Sequence, residues 1–232
     1  GKLFKPRDAK LFKPRNSLGN TGGQFYTAKN PEYGAVFTYN LNNVPKTSKS
    51  LRMQREKRLN ADNMDIPFPG YDKLTDEMNE KPASIILTIK DTEGNHIRNI
   101  KKNASNGSSR IAWNLRHQSY YPIRAGRGQA NSWFNPSGPY VTPGEYHAEI
   151  YLENNGSVEK LDGPIAFNVK PLRKGTLQGA SYSDYNSFRT RVSNLYISMS
   201  KYQDEFNMMK SKIDLLDKAS LQLETFSPEI MK

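Results

Sequence analysis

The sequence predicts a mainly β protein: an antiparallel β-sandwich with a polar, partly helical insert and a long C-terminal α-helix of coiled-coil type. Three observations predict it. Between residues 34 and 173, about seven short stretches of β-branched and aromatic residues are separated by Gly, Pro and Asn turn signals, which is the spacing of a sandwich. Little helical periodicity falls among the strands themselves. From Tyr185 to Leu216, apolar residues recur at alternating steps of three and four without a slip.

The elements follow in order. Residues 1–33 read as a basic extended linker arm. It holds a direct repeat, KLFKPR at Lys2–Arg7 and again at Lys10–Arg15. Each proline disfavours helix at the lysine before it, and the Gly- and Asn-rich run NSLGNTGGQFYTAKNPEYG reads as surface linker. Residues 34–173 form the sandwich. GAVFTYNL (Gly34–Leu41) is its first strand. A polar insert occupies about residues 42–82, with a helix capped by Ser48 or Ser50 and a second short helix in YDKLTDEMNE. SIILTIKD (Ser84–Asp91) and HIRNIKK pair through the turn Thr92–Asn95, where Gly94 supplies positive φ. RIAWNLRH (Arg110–His117) sets Ile111, Trp113 and Leu115 on one face. After a long loop, EYHAEIYLENNG sets Tyr146, Ala148, Ile150 and Leu152 on one face, and Asn154-Asn155-Gly156 turns the chain into the last strands, SVEKLDGPIAFNVKPL.

The helix is expected over residues 181–226, capped by Ser183 or Asp184 and unbroken by Gly or Pro through Leu216. Its seam is Tyr185, Phe188, Val192, Leu195, Met199, Tyr202, Phe206, Met209, Ile213 and Leu216. A strict repeat of 3.5 wants a helical partner, whereas a helix lying on a sheet wants a wider stripe. At Ser227-Pro228-Glu229, a capping Ser, a Pro at the first helical position and an acid in the first turn mark a helix start. Residues 227–232 are therefore expected to open a second, antiparallel helix of a longer polypeptide. The seam is built for that helix or for a substitute from another subunit.

Charge and composition narrow the function. The net charge is +11, and residues 1–60 hold 13 Lys and Arg against three acids, so a basic arm is joined to a nearly neutral body. Such an arm suits phosphate, anionic lipid or an acidic partner. It has no interleaved stacking platform or nucleic-acid fold signature, so no nucleic-acid partner is expected and the arm reads as a weak electrostatic tether. The absence of cysteine excludes disulfides, thiolate metal sites and a cysteine nucleophile. No apolar window is long enough for a membrane span. His96, His117 and His147 lack metal-ligand spacing, and no metal is expected. No carboxylate pair points to glycosidase chemistry, no serine lies in a nucleophile elbow, and AGRGQAN lacks the strand-to-helix context of a phosphate loop. No catalytic residue and no cofactor is expected. The loop aromatics Tyr120, Tyr121, Trp133, Phe134 and Tyr140 are candidate contacts. They suit the open end of the sandwich, a protein partner or a glycan.

The motifs also carry a resemblance. TIKDTEGNHIRNIKK, RIAWNLRH and GPYVTPGEYHAEIYL together resemble the Ig-like domain of the flagellar hook-capping type. With NPEYGAVFTYNL, the charged insert, FNVKPL and a terminal helical hairpin, the order resembles the C-terminal region of large exported bacterial proteins with a sortilin-like, Asp-box β-propeller, often labelled glycosyl-hydrolase-like. The resemblance implies an Ig-like sandwich, an upstream propeller holding any catalytic activity, and location in the periplasm or at the surface of a Gram-negative bacterium. It carries over no active site. The expected function is a non-catalytic interaction or structural module. It docks the larger protein in a cell-envelope or surface assembly through the helix seam and loop aromatics. A carbohydrate-binding accessory module of a polysaccharide-processing enzyme is the alternative.

Overall fold

The structure, a computed structural model, describes residues 1–14, 30–120, 138–173, 175–176 and 179–222. Two compact units emerge, one of residues 1–118 and 137–177, the other of residues 119–136 and 178–232.

The first unit is built from two sheets over one apolar core. β1 (Lys2–Leu3), β3 (Ala35–Leu41) and β6 (Gly107–Trp113) form one sheet in the order β1-β3-β6. β2 (Ala9–Leu11), β4 (Ser84–Asp91), β5 (His96–Asn103), β7 (Gly144–Asn154) and β8 (Ser157–Pro171) form the other, in the order β2-β8-β7-β4-β5. Alternation decides which side chains enter the core. Ala35, Phe37, Tyr39 and Leu41 of β3 are buried, as are Ile85, Leu87 and Ile89 of β4 and Tyr146, Ala148 and Ile150 of β7. The rings of Phe37 in one sheet and Phe167 in the other meet edge to face at 5.1 Å, which joins the two inner faces directly.

Two turns follow from local chemistry. Asp91 caps the β4–β5 turn by accepting from the backbone N–H of Glu93 and Asn95 at 3.0 and 2.8 Å. Between β7 and β8, Asn155 and Gly156 both have positive φ (47° and 81°), as a two-residue hairpin turn of the primed kind requires.

The start of the chain departs from the expected surface linker. The first KLFKPR copy supplies β1, antiparallel to β3, and the second supplies part of β2, parallel to β8. Leu3, Pro6 and Ala9 are buried, every third residue, so the chain between the two strands lies in the fold rather than over it. Asp162 holds this crossing by accepting from the N–H of Leu3 at 2.7 Å and of Gly163 at 2.8 Å. The cause is that β3 and β8 each leave an edge open, and a few residues of extended chain satisfy each edge. The parallel β2–β8 pair also makes the larger sheet mixed, where the sequence predicts antiparallel pairing throughout.

The insert contains two helices, α1 (Ser48–Ala61) and α2 (Tyr71–Asn79), with no buried residue in either. The cap of α1 is Thr47, one residue earlier than predicted; its hydroxyl accepts from the N–H of Ser50. The two helices are tied by Arg52, whose guanidinium grips both carboxylate oxygens of Glu77 at 2.8–3.1 Å and also reaches Glu56. The last part of the β region is the single 15-residue β8 rather than several strands.

On the larger sheet, Glu149 is a nearly buried carboxylate with a side chain 7 % exposed. Lys90 and Lys160 each donate to it at 2.6 Å, and the Tyr151 hydroxyl donates at 2.8 Å. Burial pushes its pKa up, but these three donors outweigh burial and hold it at about 2. The folded value lies below the unfolded one, so the stabilisation is complete above about pH 4.5 and is lost as pH falls toward 2. Water screens the two lysines, and the net contribution at pH 7 is about 1–2 kcal/mol. The wild type should therefore lose that amount between pH 4.5 and 2 in urea melts. Glu149→Gln should start lower at pH 7 and lose less over the same range. Parallel pH curves for the two proteins would show that the carboxylate does not act this way.

Candidate functional site

α3 (Tyr182–Ser220) dominates the second unit. At 39 residues it is about 58 Å long. Its cap is Ser181, not Ser183 or Asp184. Asp184 is the third helical residue: its N–H donates to the Ser181 hydroxyl at 3.0 Å, and the hydroxyl donates to its carboxylate at 2.7 Å. The last turn ends at Leu221. Residues 223–226 of the expected helix, and the expected helix start at Ser227, lie outside the described residues.

All ten seam residues fall on α3, and all ten are exposed, from 43 % at Val192 to 69 % at Leu216. Met208 and Leu215, near its C-terminal end but off the seam, are exposed too. The face of α3 that is covered is a different and polar one. Asn186, Arg189, Ser193, Tyr196, Ser200 and Asp204 are buried or half-buried. Tyr120 packs edge-on against Tyr196 at 5.9 Å along this face. The helix thus has one polar flank in contact with its own chain and an apolar flank in water. That inverts the usual order for a helix of a globular protein.

The loop aromatics divide. Tyr121, Trp133 and Phe134 lie outside the described residues. Tyr120 contacts Tyr196, as above. Tyr140, in the first unit, is half-buried, with the Arg116 guanidinium 3.7 Å from its ring centre. Its edge meets Tyr33, which in turn meets Phe12 at 4.9 Å. Arg116 is fixed by donating to the Gly138 carbonyl at 2.9 Å. No single-residue pattern in the sequence announces this stack, because Phe12, Tyr33, Arg116 and Tyr140 come from four separated segments.

The basic residues of the arm and sheet border a cleft of about 830 Å³ that includes Lys5, Arg7, Lys102 and Arg110. Asp8 and Glu32 line it as well. Asp8 is ion-paired with Lys170, which ties the arm to β8. Among the described residues, no cluster of three His, Asp or Glu could hold a metal ion. Among them also, no helix is long and apolar enough to cross a membrane.

No protein-family model, curated protein or solved structure matches the chain.

Proposed function

We propose that the chain is a non-catalytic interaction module: an Ig-like β-sandwich whose coiled-coil helix docks a larger exported bacterial protein into a cell-envelope or surface assembly. The observation that carries this reading is the apolar seam of α3, ten side chains deep and exposed along its whole length. A patch of that size on an isolated chain is the mark of a surface meant to be covered. The arm supports the sandwich as a structural piece rather than as a free tether, since it completes both sheets. The described loop aromatics, Tyr120 and Tyr140, are engaged with Tyr196 and Arg116, so the seam and not these rings is the principal contact.

The test replaces Leu195 and Phe206 with lysine in the full chain, expressed with an export signal in a Gram-negative host. The expected result is unchanged thermal unfolding of the β unit together with at least tenfold less protein retained in the envelope fraction. Equal retention of wild type and variant would overturn the reading.

A further inference from the structure

We propose that the occupant of the α3 seam is the α3 of a second copy of this chain, parallel and in register. The inference rests on the interaction reading above and names its partner. Three observations select this partner.

The first is charge. With Tyr185 as position a of the heptad, position g holds Asp184, Arg191, Ser198, Glu205 and Lys212, and position e holds Arg189, Tyr196, Gln203, Lys210 and Asp217. In a parallel pair each g residue faces the e residue five places on in the other helix. That puts Glu205 against Lys210 and Lys212 against Asp217 of the second copy, while Arg189 and Tyr196 lie on the flank that its own chain covers. Every charged pair is of opposite sign, and none is repulsive. An antiparallel pair with full overlap matches g with g and e with e. Arg191 then meets Lys212, twice over. Like charges so placed disfavour that orientation.

The second is the shape of the seam. The β-branched residues Val192 and Ile213 are both at a, and Leu195 and Leu216 are both at d. This distribution favours two parallel strands over three or four.

The third is area. Ten large side chains with roughly half or more of their surface in water amount to on the order of 1,000 Å² per helix. A standard protein interface buries about 800 Å² per partner. The seam alone is enough.

The chain contains no cysteine, so single cysteines report on the pairing without background. In a parallel, in-register pair, Leu216 lies beside Leu216 of the second copy; in an antiparallel pair it lies near Tyr185. The purified 232-residue Leu216→Cys variant should run at twice the 26.4 kDa chain mass by light scattering. Mild oxidation should convert most of it to disulfide-linked dimer. A mixture of Tyr185→Cys and Leu216→Cys chains should give no mixed disulfide above background. Glu205→Lys should weaken the dimer at least tenfold, and adding Lys210→Glu should restore it, since the pair is re-formed with the signs exchanged.

Preferential mixed Tyr185–Leu216 disulfide would overturn the parallel arrangement. A monomer whose seam cysteine reacts freely with a thiol reagent, but is protected in envelope fractions, would overturn the second copy as partner and leave the docking reading standing. A monomer whose seam cysteine is protected in the purified chain would overturn both.

Discussion

Trp113→Ala is expected to cost about 3–5 kcal/mol of unfolding free energy, the range of large aromatic deletions from a packed core. Trp113 is wholly buried at the end of β6. Its ring meets Tyr146 of β7 edge-on at 5.5 Å and Phe167 of β8 at 6.0 Å, so one side chain from the smaller sheet packs on two strands of the larger one. Its indole N–H also donates to the Arg116 carbonyl at 2.9 Å, which sets the course of the chain as it leaves β6. Alanine removes both the inter-sheet packing and the donor. Net stabilities of domains this size are about 5–15 kcal/mol, so the variant keeps only part of its stability, and the loss should appear as a large fall in the urea midpoint. Trp113→Phe keeps most of the packing but leaves the Arg116 carbonyl without its donor, and should cost about 1–3 kcal/mol. Equal losses for the two variants would show that packing is not the dominant part.

Gly34→Ala should be as severe, for a reason that has nothing to do with burial of apolar surface. Gly34 has φ of 109°, and a Cβ built there would sit 1.9 Å from the carbonyl oxygen of Trp113, on the strand that β3 pairs with. Backbone, not a side-chain tip, is in the way, so the β3–β6 ladder must open to admit a methyl group. The strain of the conformation alone costs about 1–3 kcal/mol, and the collision adds to it. Gly94→Ala is the matched control. Its φ of 84° is also positive, but nothing lies within 4 Å of the added atom. It should lose only the strain, about 1 kcal/mol. A Gly34→Ala variant no less stable than the Gly94→Ala one would disprove the close approach of the two strands.

The parts of the molecule that were legible in the sequence are those governed by neighbours along the chain. Ser84–Asp91 has the same limits in both readings, because alternation and the Asp91–Gly94 turn specify it locally. The ten-residue seam was legible for the same reason: it is a periodicity of one helix. The strands of the arm were not. Two residues at Lys2–Leu3 and three at Ala9–Leu11 are too short to show alternation. They become strands only because β3 and β8, far along the chain, offer them edges. The apolar residues Leu3, Pro6 and Ala9 at every third place are the one available signal. The predicted caps of α3, Ser183 and Asp184, fall two and three residues late, because both lie within the first turn and Asp184 reaches back to Ser181. The aromatic and guanidinium stack on Tyr140 was beyond reach, since its members come from four separated segments and meet only in the folded chain.

The two KLFKPR copies have a consequence for biosynthesis. They pair with residues far later in the sequence: Ala9 lies beside Val169, and Leu3 bonds to Asp162 across 159 positions. At a translation rate of about 5–20 residues per second, this segment waits on the order of ten seconds or more for β8. During that interval β2 has no partner strand, and a basic, proline-marked segment is the kind least able to pair with the wrong neighbour while it waits.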